Sequence, residues 1–140
     1  MGLCLEYFRP IERDIYMSGS VWPRELRLTA QGQVLVVTFE DNATFELPAE
    51  YVRVESPSAE VRGHSPAERK TVGGKRHVKI LRIEPVGNYA VRLVFDDGHD
   101  TGIYTWDALY KLGAEQVSVW QAYLTALAEK GLDRDRPGQK

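Results

Sequence analysis

The chain has 140 residues, of which 43% are hydrophobic and 27% charged, and its formal net charge is −2 at pH 7. This balance is typical of one globular domain with its own core, and it excludes wholesale disorder. The mild negative charge argues against generic nucleic-acid binding, and the single cysteine excludes an internal disulfide framework. The longest fully apolar run, residues 34–37, predicts no transmembrane helix. Because no apolar signal segment is apparent, we expect a cytoplasmic protein without a membrane partner.

Residues 1–21 are predicted to form an N-terminal arm, because they mix charged and aromatic side chains without a regular period. The arm ends in Ser18-Gly19-Ser20, a break typical of a linker. It is either a frayed terminus or a segment that packs on the domain or on a second copy of the chain. The last alternative would make the protein a homo-oligomer.

Two groups of strands are predicted, over residues 24–47 and 78–104, separated by a Gly-, Ser- and Pro-containing loop at 55–77. Hairpin turns are indicated at Asp41-Asn42 and Asp97-Gly98, and a weak echo relates residues 37–42 to 93–98. A short helical piece is predicted from Ala49 to Val54 after Pro48, a residue suited to a first helical turn.

Residues 105–131 are predicted to be helical, with Thr105 as an N-cap and a break at Gly113. Apolar residues at three- and four-residue steps predict a buried face on the second helix: Val117, Trp120, Tyr123, Leu124 and Leu127. We expect Trp120 to be largely buried against the sheet. Strands followed by helices indicate an α+β fold of two layers, an antiparallel sheet of hairpins with the C-terminal helices packed on one face. The domain is expected over 22–131, followed by a disordered tail at 132–140.

A basic segment is the first candidate functional region. Six bases face one acid between residues 62 and 79, so the segment is either a contact surface for an acidic partner or a solvated loop. No aromatic side chains are interleaved for base stacking, which argues against single-stranded nucleic acid. The residues expected to make the protein contact are Arg62, His64, Arg69, Lys70, Lys75 and Arg76.

The predicted hairpin tip at residues 96–100 is the second candidate, because it places an imidazole among carboxylates. His99, with Asp97 or Asp100, is a weak candidate metal site; the alternative is an ordinary charged turn. The facial triad of iron oxygenases requires a carboxylate two residues after the histidine, where this chain has Thr101. No nucleophile motif is present, so we expect no catalytic residues.

Four segments in order resemble one family: residues 47–54 (LPAEYVRV), 56–61 (SPSAEV), 83–91 (IEPVGNYAV) and 95–106 (FDDGHDTGIYTW). They are similar to the gamma-butyrobetaine hydroxylase-like N-terminal domain family, also called domain of unknown function 971. The resemblance extends over about residues 22–131. It implies a small α+β domain without the iron- and 2-oxoglutarate-binding domain of the related hydroxylases, so we expect no enzyme activity.

The resemblance also bears on whether this chain keeps a zinc site that is found in the related hydroxylases. In the hydroxylases, the similar domain holds zinc through three cysteines and one histidine, and these positions fall here on Ser56, Ser58, Val61 and His99. Because serine is a poor zinc ligand and valine is none, we expect no zinc cofactor. In place of the zinc site we expect a hydrogen-bonded pocket in which His99 faces Ser56 and Ser58.

Two functions remain open from the sequence. The first is a non-catalytic protein-interaction or accessory domain that serves an oxygenase or an iron–sulfur cluster assembly partner. The second is a small-ligand or metal-binding protein centred on the His99 hairpin.

Overall fold

The computed structural model describes residues 7–8, 22–58, 61 and 70–135. The first of its two sheets contains four antiparallel strands in chain order: β1 (Tyr7–Phe8), β2 (Pro23–Thr29), β3 (Val34–Phe39) and β4 (Thr44–Pro48). Helix α1 (Ala49–Val54) follows directly. Of the predicted N-terminal arm, Tyr7 and Phe8 pair with Arg27 and Leu26 at the edge of this sheet. The rest of the arm lies outside the described residues.

The second sheet contains three antiparallel strands: β5 (Ile80–Val86), β6 (Ala90–Phe95) and β7 (Ile103–Thr105). Helices α2 (Trp106–Ala114) and α3 (Gln116–Glu129) follow this sheet, and a short 3-10 helix (Ala30–Gly32) connects β2 to β3. The predicted α+β class, with antiparallel hairpins and C-terminal helices, is confirmed. The structure adds that the strands divide between two sheets.

One core joins the two sheets. Alternate residues of β3 are buried in it, as expected for a strand with one inward face. Both sheets and helices α1 and α2 supply its largest fully buried side chains, which include Leu26, Phe39, Tyr51, Ile83, Tyr104 and Trp106. Since each sheet covers the other's apolar residues, neither has a separate core.

The weak sequence echo corresponds to a structural repeat. The order β2-β3-β4-α1 recurs as β5-β6-β7-α2, and the hairpin tips match at a spacing of 56 residues. In the first tip the Ala43 N–H donates to Asp41 Oδ1 at 2.9 Å, and in the second the His99 N–H donates to Asp97 Oδ1 at 3.0 Å. Both predicted hairpin turns are therefore confirmed.

Helix α2 begins as predicted, with Thr105 Oγ1 accepting a hydrogen bond from the Ala108 N–H at 3.1 Å. Gly113 does not end this helix, which continues to Ala114. A Cβ at residue 113 would lie 2.2 Å from the Phe45 ring. The glycine is required here by the close approach of β4 to the helix, not by a helix stop.

The predicted apolar face of α3 is only partly correct. Tyr123 and Leu127 are buried, whereas Val117 is 86% exposed. At 3.6 residues per turn, Val117 lies about 120° around the helix from Tyr123, so the two cannot share a narrow face. Trp120 is half-buried, and its ring contacts Tyr51 of α1 at 6.1 Å between ring centroids instead of being largely buried against the sheet.

Part of the segment that the sequence assigns to a disordered tail, residues 133–134, contacts the domain in the structure. Arg134 forms two hydrogen bonds to the carboxylate of Glu50, at 2.7 and 2.6 Å, and its guanidinium lies over the Trp120 ring. The Gly74 N–H donates to the Asp133 carbonyl at 2.9 Å. A buried carboxylate such as that of Glu50 is destabilised unless a cation pairs with it, and Arg134 of the tail is that cation. Residues 136–140 lie outside the described part of the chain.

Among the described residues, no helix has the length and apolar character needed to span a bilayer.

Candidate functional site

The candidate site is built on the tip between β6 and β7. Asp97 Oδ1 accepts the backbone N–H of His99, and the Phe95 N–H donates to the His99 carbonyl at 3.0 Å. These bonds hold the tip through its backbone. The His99 residue is 5% exposed, so its ring is turned into the protein.

The imidazole meets the segment that follows α1. His99 Nε2 and Ser56 Oγ are hydrogen-bonded at 2.9 Å, and Ser56 Oγ also accepts the Ser58 N–H at 3.2 Å. Ser58 Oγ is bonded to Thr101 Oγ1 at 2.7 Å. We call these four residues the polar cluster. The expected hydrogen-bonded pocket, with His99 facing Ser56, is therefore confirmed, and Ser58 is directed to Thr101.

The cluster is closely packed, and three of its members, Ser56, Ser58 and His99, are buried, whereas Thr101 is exposed. Ser56 is 0% exposed and Ser58 is 7% exposed. A Cβ at Gly102 would lie 2.5 Å from Ser56 Oγ, so the absence of a side chain at residue 102 makes room for the serine. A reactant in solvent cannot reach the Ser56 hydroxyl in this conformation.

The residues at the family's zinc positions do not fit a zinc ion. Val61 is buried beside the cluster and has no ligand atom, while the hydroxyls of Ser56 and Ser58 are used in hydrogen bonds to side chains. Within the described ranges, no group of three or more His, Cys, Asp or Glu side chains is arranged to hold a metal.

Asp97 is committed to an ion-pair cluster and not to the imidazole. Its Oδ2 lies 2.7 Å from Lys75 Nζ and 2.8 Å from Arg53 Nε. Burial alone would raise the pKa of Asp97, but the hydrogen bonds from Lys75, the His99 N–H and Arg53 hold that pKa at about 2. Asp100, the other candidate ligand, lies on the exposed side of the tip.

The basic segment is not a continuous free surface where it is described. Lys75 pairs with Asp97, and its side chain is 18% exposed. Arg76 pairs with Asp135 of the tail. Lys70 is exposed. The remaining predicted contact residues, Arg62, His64 and Arg69, lie outside the described residues.

Sequence reasoning missed two adjoining clefts between the end of α1 and helices α2 and α3. The first, which we call the alanine cleft, has a volume of about 290 Å³ and is lined in part by Lys70, Val72, Ala122 and Ala126. The sequence signal for this cleft was the pair Ala122 and Ala126, four positions apart on α3. Two small residues at this spacing lie on one helical face and leave space beside it.

The second cleft, the carboxylate cleft, has a volume of about 240 Å³. Its walls are largely apolar and include Pro57, Tyr104, Ala108 and Leu112. Glu55, Glu115 and Lys111 are its charged residues, and Glu55 and Val119 line both clefts.

The comparisons with known proteins agree on one family. A family model described as "Gamma-butyrobetaine hydroxylase-like, N-terminal" matches residues 26–110. A protein solved by NMR is 44% identical, covers 85% of this chain and 89% of its own, and superposes with a TM-score of 0.73. A second NMR structure is 40% identical, with 87% and 95% coverage and a TM-score of 0.72.

A crystal structure from Acidithiobacillus ferrooxidans ATCC 23270, of unknown function and in the family domain of unknown function 971, is 42% identical. It covers 66% of this chain and 93% of its own, with a TM-score of 0.56. No curated protein matches the chain.

Proposed function

Since the chain belongs to the gamma-butyrobetaine hydroxylase-like N-terminal domain family, we propose that it is a non-catalytic accessory domain that binds another protein. The observation that carries the proposal is the burial of the hydrogen-bonded pair of His99 and Ser56 within the polar cluster. The histidine at the family's ligand position is 5% exposed and bonded to a serine that is 0% exposed. Such a site stabilises the hairpin and offers no open position to a substrate.

The resemblance indicates which partners to test first. In related hydroxylases a similar domain precedes an oxygenase domain, and in other members it is joined to ATPases of the iron–sulfur carrier type. An oxygenase or an iron–sulfur cluster assembly protein is therefore the proposed partner class. The proposal includes a cytoplasmic location, no zinc and no nucleic acid.

The alternative is a small-ligand or metal-binding role for His99. The polar side chains around the imidazole favour it, because they supply several oxygen atoms. Their burial and mutual hydrogen bonds argue against it. Metal analysis of untagged protein distinguishes the two functions: about one metal ion per chain supports the alternative, and a substoichiometric content supports the accessory role.

The experiment for the accessory role is affinity capture with the full chain, followed by titration of the captured protein. Saturable binding at a fixed ratio supports the role, and turnover of a substrate by the pure chain would contradict it. His99→Gln tests whether the cluster acts only through the fold. Binding should weaken only to the extent that thermal stability falls.

A further inference from the structure

The alanine cleft is a compact space with largely apolar walls. These walls include Val54, Val72 and Val119, together with Ala122 and Ala126 of α3. The volume of about 290 Å³ lies just below the roughly 300–1,000 Å³ of typical small-molecule sites. One apolar side chain therefore fits the cleft better than a large cofactor does, and contact with the walls removes that side chain from water.

The ionisable side chains that line this cleft are Glu55, Lys70 and Tyr123. Glu55 is 7% exposed and already has an interaction partner, so it is not an open acceptor. The Tyr123 hydroxyl donates to the Val72 carbonyl at 2.6 Å, and burial raises its pKa, so the hydroxyl stays uncharged. Lys70 is exposed, and no carboxylate in the described part of the chain pairs with its amine.

The α3 wall of the cleft supplies no negative charge to balance Lys70. Residues 116–128 contain no Asp, Glu, Lys or Arg, although 27% of the chain is charged. The exposed side of a surface helix usually carries charged residues, whereas the exposed Ser118, Ala122 and Thr125 are small and neutral. Depletion of charged residues is typical of the core of a protein interface. Lys70 therefore gives this neutral surface a positive charge at its edge, which favours an anion.

The size of the surface favours a short segment over a second folded copy of the chain. Helix α3 has 14 residues, so it is about 21 Å long and, with its side chains, about 10 Å wide. Its face covers roughly 200 Å², whereas a stable interface between folded proteins buries about 800 Å² on each partner. A few residues of an extended partner segment match this area.

We propose that the alanine cleft receives one apolar side chain of the partner protein, and that Lys70 pairs with a carboxylate on the next residue of the partner's chain. The inference rests on the accessory role proposed above and names the chemistry of the contact. The apolar side chain supplies most of the affinity, because it leaves water for the cleft walls. The carboxylate supplies specificity, because Lys70 attracts an acidic segment and repels a basic one.

The test uses capped tetrapeptides Gly-Leu-X-Gly, in which X is glutamate, glutamine or lysine, titrated into the ¹⁵N-labelled full chain. The glutamate peptide should shift the amides of Val72, Ala122 and Ala126. It should bind about threefold more tightly than the glutamine peptide, as expected for one exposed ion pair. It should also bind about tenfold more tightly than Gly-Ala-Glu-Gly, because leucine buries more carbon atoms.

Three results would overturn the proposal. The first is the absence of shifts at the cleft residues, or shifts confined to α2. The second is equal binding of the glutamate and glutamine peptides, or tighter binding of the lysine peptide. The third is equal binding of the leucine and alanine peptides, because the apolar side chain would then not enter the cleft.

Matched variants give the second arm, with thermal melts to confirm that each is folded. Ala122→Leu fills the cleft from an exposed position and should weaken binding of the glutamate peptide by at least about fivefold. Ala128→Leu, the same change at an exposed residue outside both clefts, should have no effect. Lys70→Gln should abolish the preference for glutamate over glutamine, and Lys130→Gln, also exposed and outside both clefts, should keep it. Equal effects within either pair of variants would contradict the assignment.

The same variants separate this inference from the accessory role. A partner captured equally well by Ala122→Leu and Ala128→Leu would overturn the cleft assignment and leave the accessory role standing. Absence of any saturable partner, with binding of the glutamate peptide intact, would overturn the accessory role and support the alanine cleft as a binding site.

Discussion

Asp97→Asn is the most informative single substitution for the hairpin tip. Asparagine keeps the size of the side chain and an oxygen for the His99 N–H, but it removes the charge that Arg53 and Lys75 share. The side chains of these cations are only 11% and 18% exposed, so water compensates them poorly. The substitution therefore leaves two neighbouring cations without their common partner.

The expected cost follows from the pKa of Asp97. The difference between the ordinary pKa of 3.8 and the folded pKa of about 2 corresponds to roughly 2 kcal/mol in the free energy of unfolding at neutral pH. Because the Asp97 side chain is 17% exposed, solvent screening lowers its contribution to the free energy of unfolding somewhat. We expect Asp97→Asn to reduce the free energy of unfolding by about 1–2 kcal/mol at pH 7.

The pH dependence has a defined sign. The folded pKa of Asp97 lies below the unfolded pKa, so its contribution is fully present above about pH 4–5. The contribution is lost as the pH falls through about 2. The stability difference between wild type and Asp97→Asn should therefore shrink by about half between pH 7 and pH 3.

Urea denaturation at both pH values measures the effect. Asp100→Asn is the control, because the same chemical change there falls on an exposed residue of the same tip, and it should cost less than about 0.5 kcal/mol. An Asp97→Asn protein as stable as the control at pH 7, or a difference that does not vary with pH, would refute the assignment of the ion-pair cluster.

Four further outcomes are expected. Gly113→Ala should lower the free energy of unfolding by about 1–3 kcal/mol in urea melts, despite the helix preference of alanine, because the new Cβ overlaps the Phe45 ring; a stabilised variant would contradict this contact. Arg134→Ala should cost about 2–4 kcal/mol in the same assay, because it leaves the buried Glu50 carboxylate without its two hydrogen bonds. A chelator should leave the melting temperature unchanged; a collapse would reveal a structural metal. Iron-loaded pure protein should release no succinate from 2-oxoglutarate above a metal-free control.

Local signals in the sequence predicted the local structure well. The turns at Asp41-Asn42 and Asp97-Gly98 and the cap at Thr105 depend on neighbouring residues, so short patterns are sufficient for them. The apposition of Ser56 and His99 came from the family resemblance, not from spacing. Their hydrogen bond joins residues 43 positions apart, which no local pattern encodes.

The errors concern long-range contacts. Lys75 seemed available to a partner because its carboxylate, Asp97, is remote in the sequence. The tail was predicted to be disordered because the partner of Arg134, Glu50, lies 84 positions away and no local pattern indicates it. The exposed Val117 shows another limit: helical periodicity identifies an apolar stripe but does not decide which of its edges meets the core.

The structural repeat has a consequence for which side chains the site tolerates. The two hairpin tips keep the same carboxylate-to-amide bond, so their geometry does not depend on the side chain at the third tip position. That position holds Ala43 in the first tip and His99 in the second. The side chain at this position can therefore differ between the tips without loss of the scaffold. The first tip serves as a reference within the molecule for what the turn is like without the imidazole.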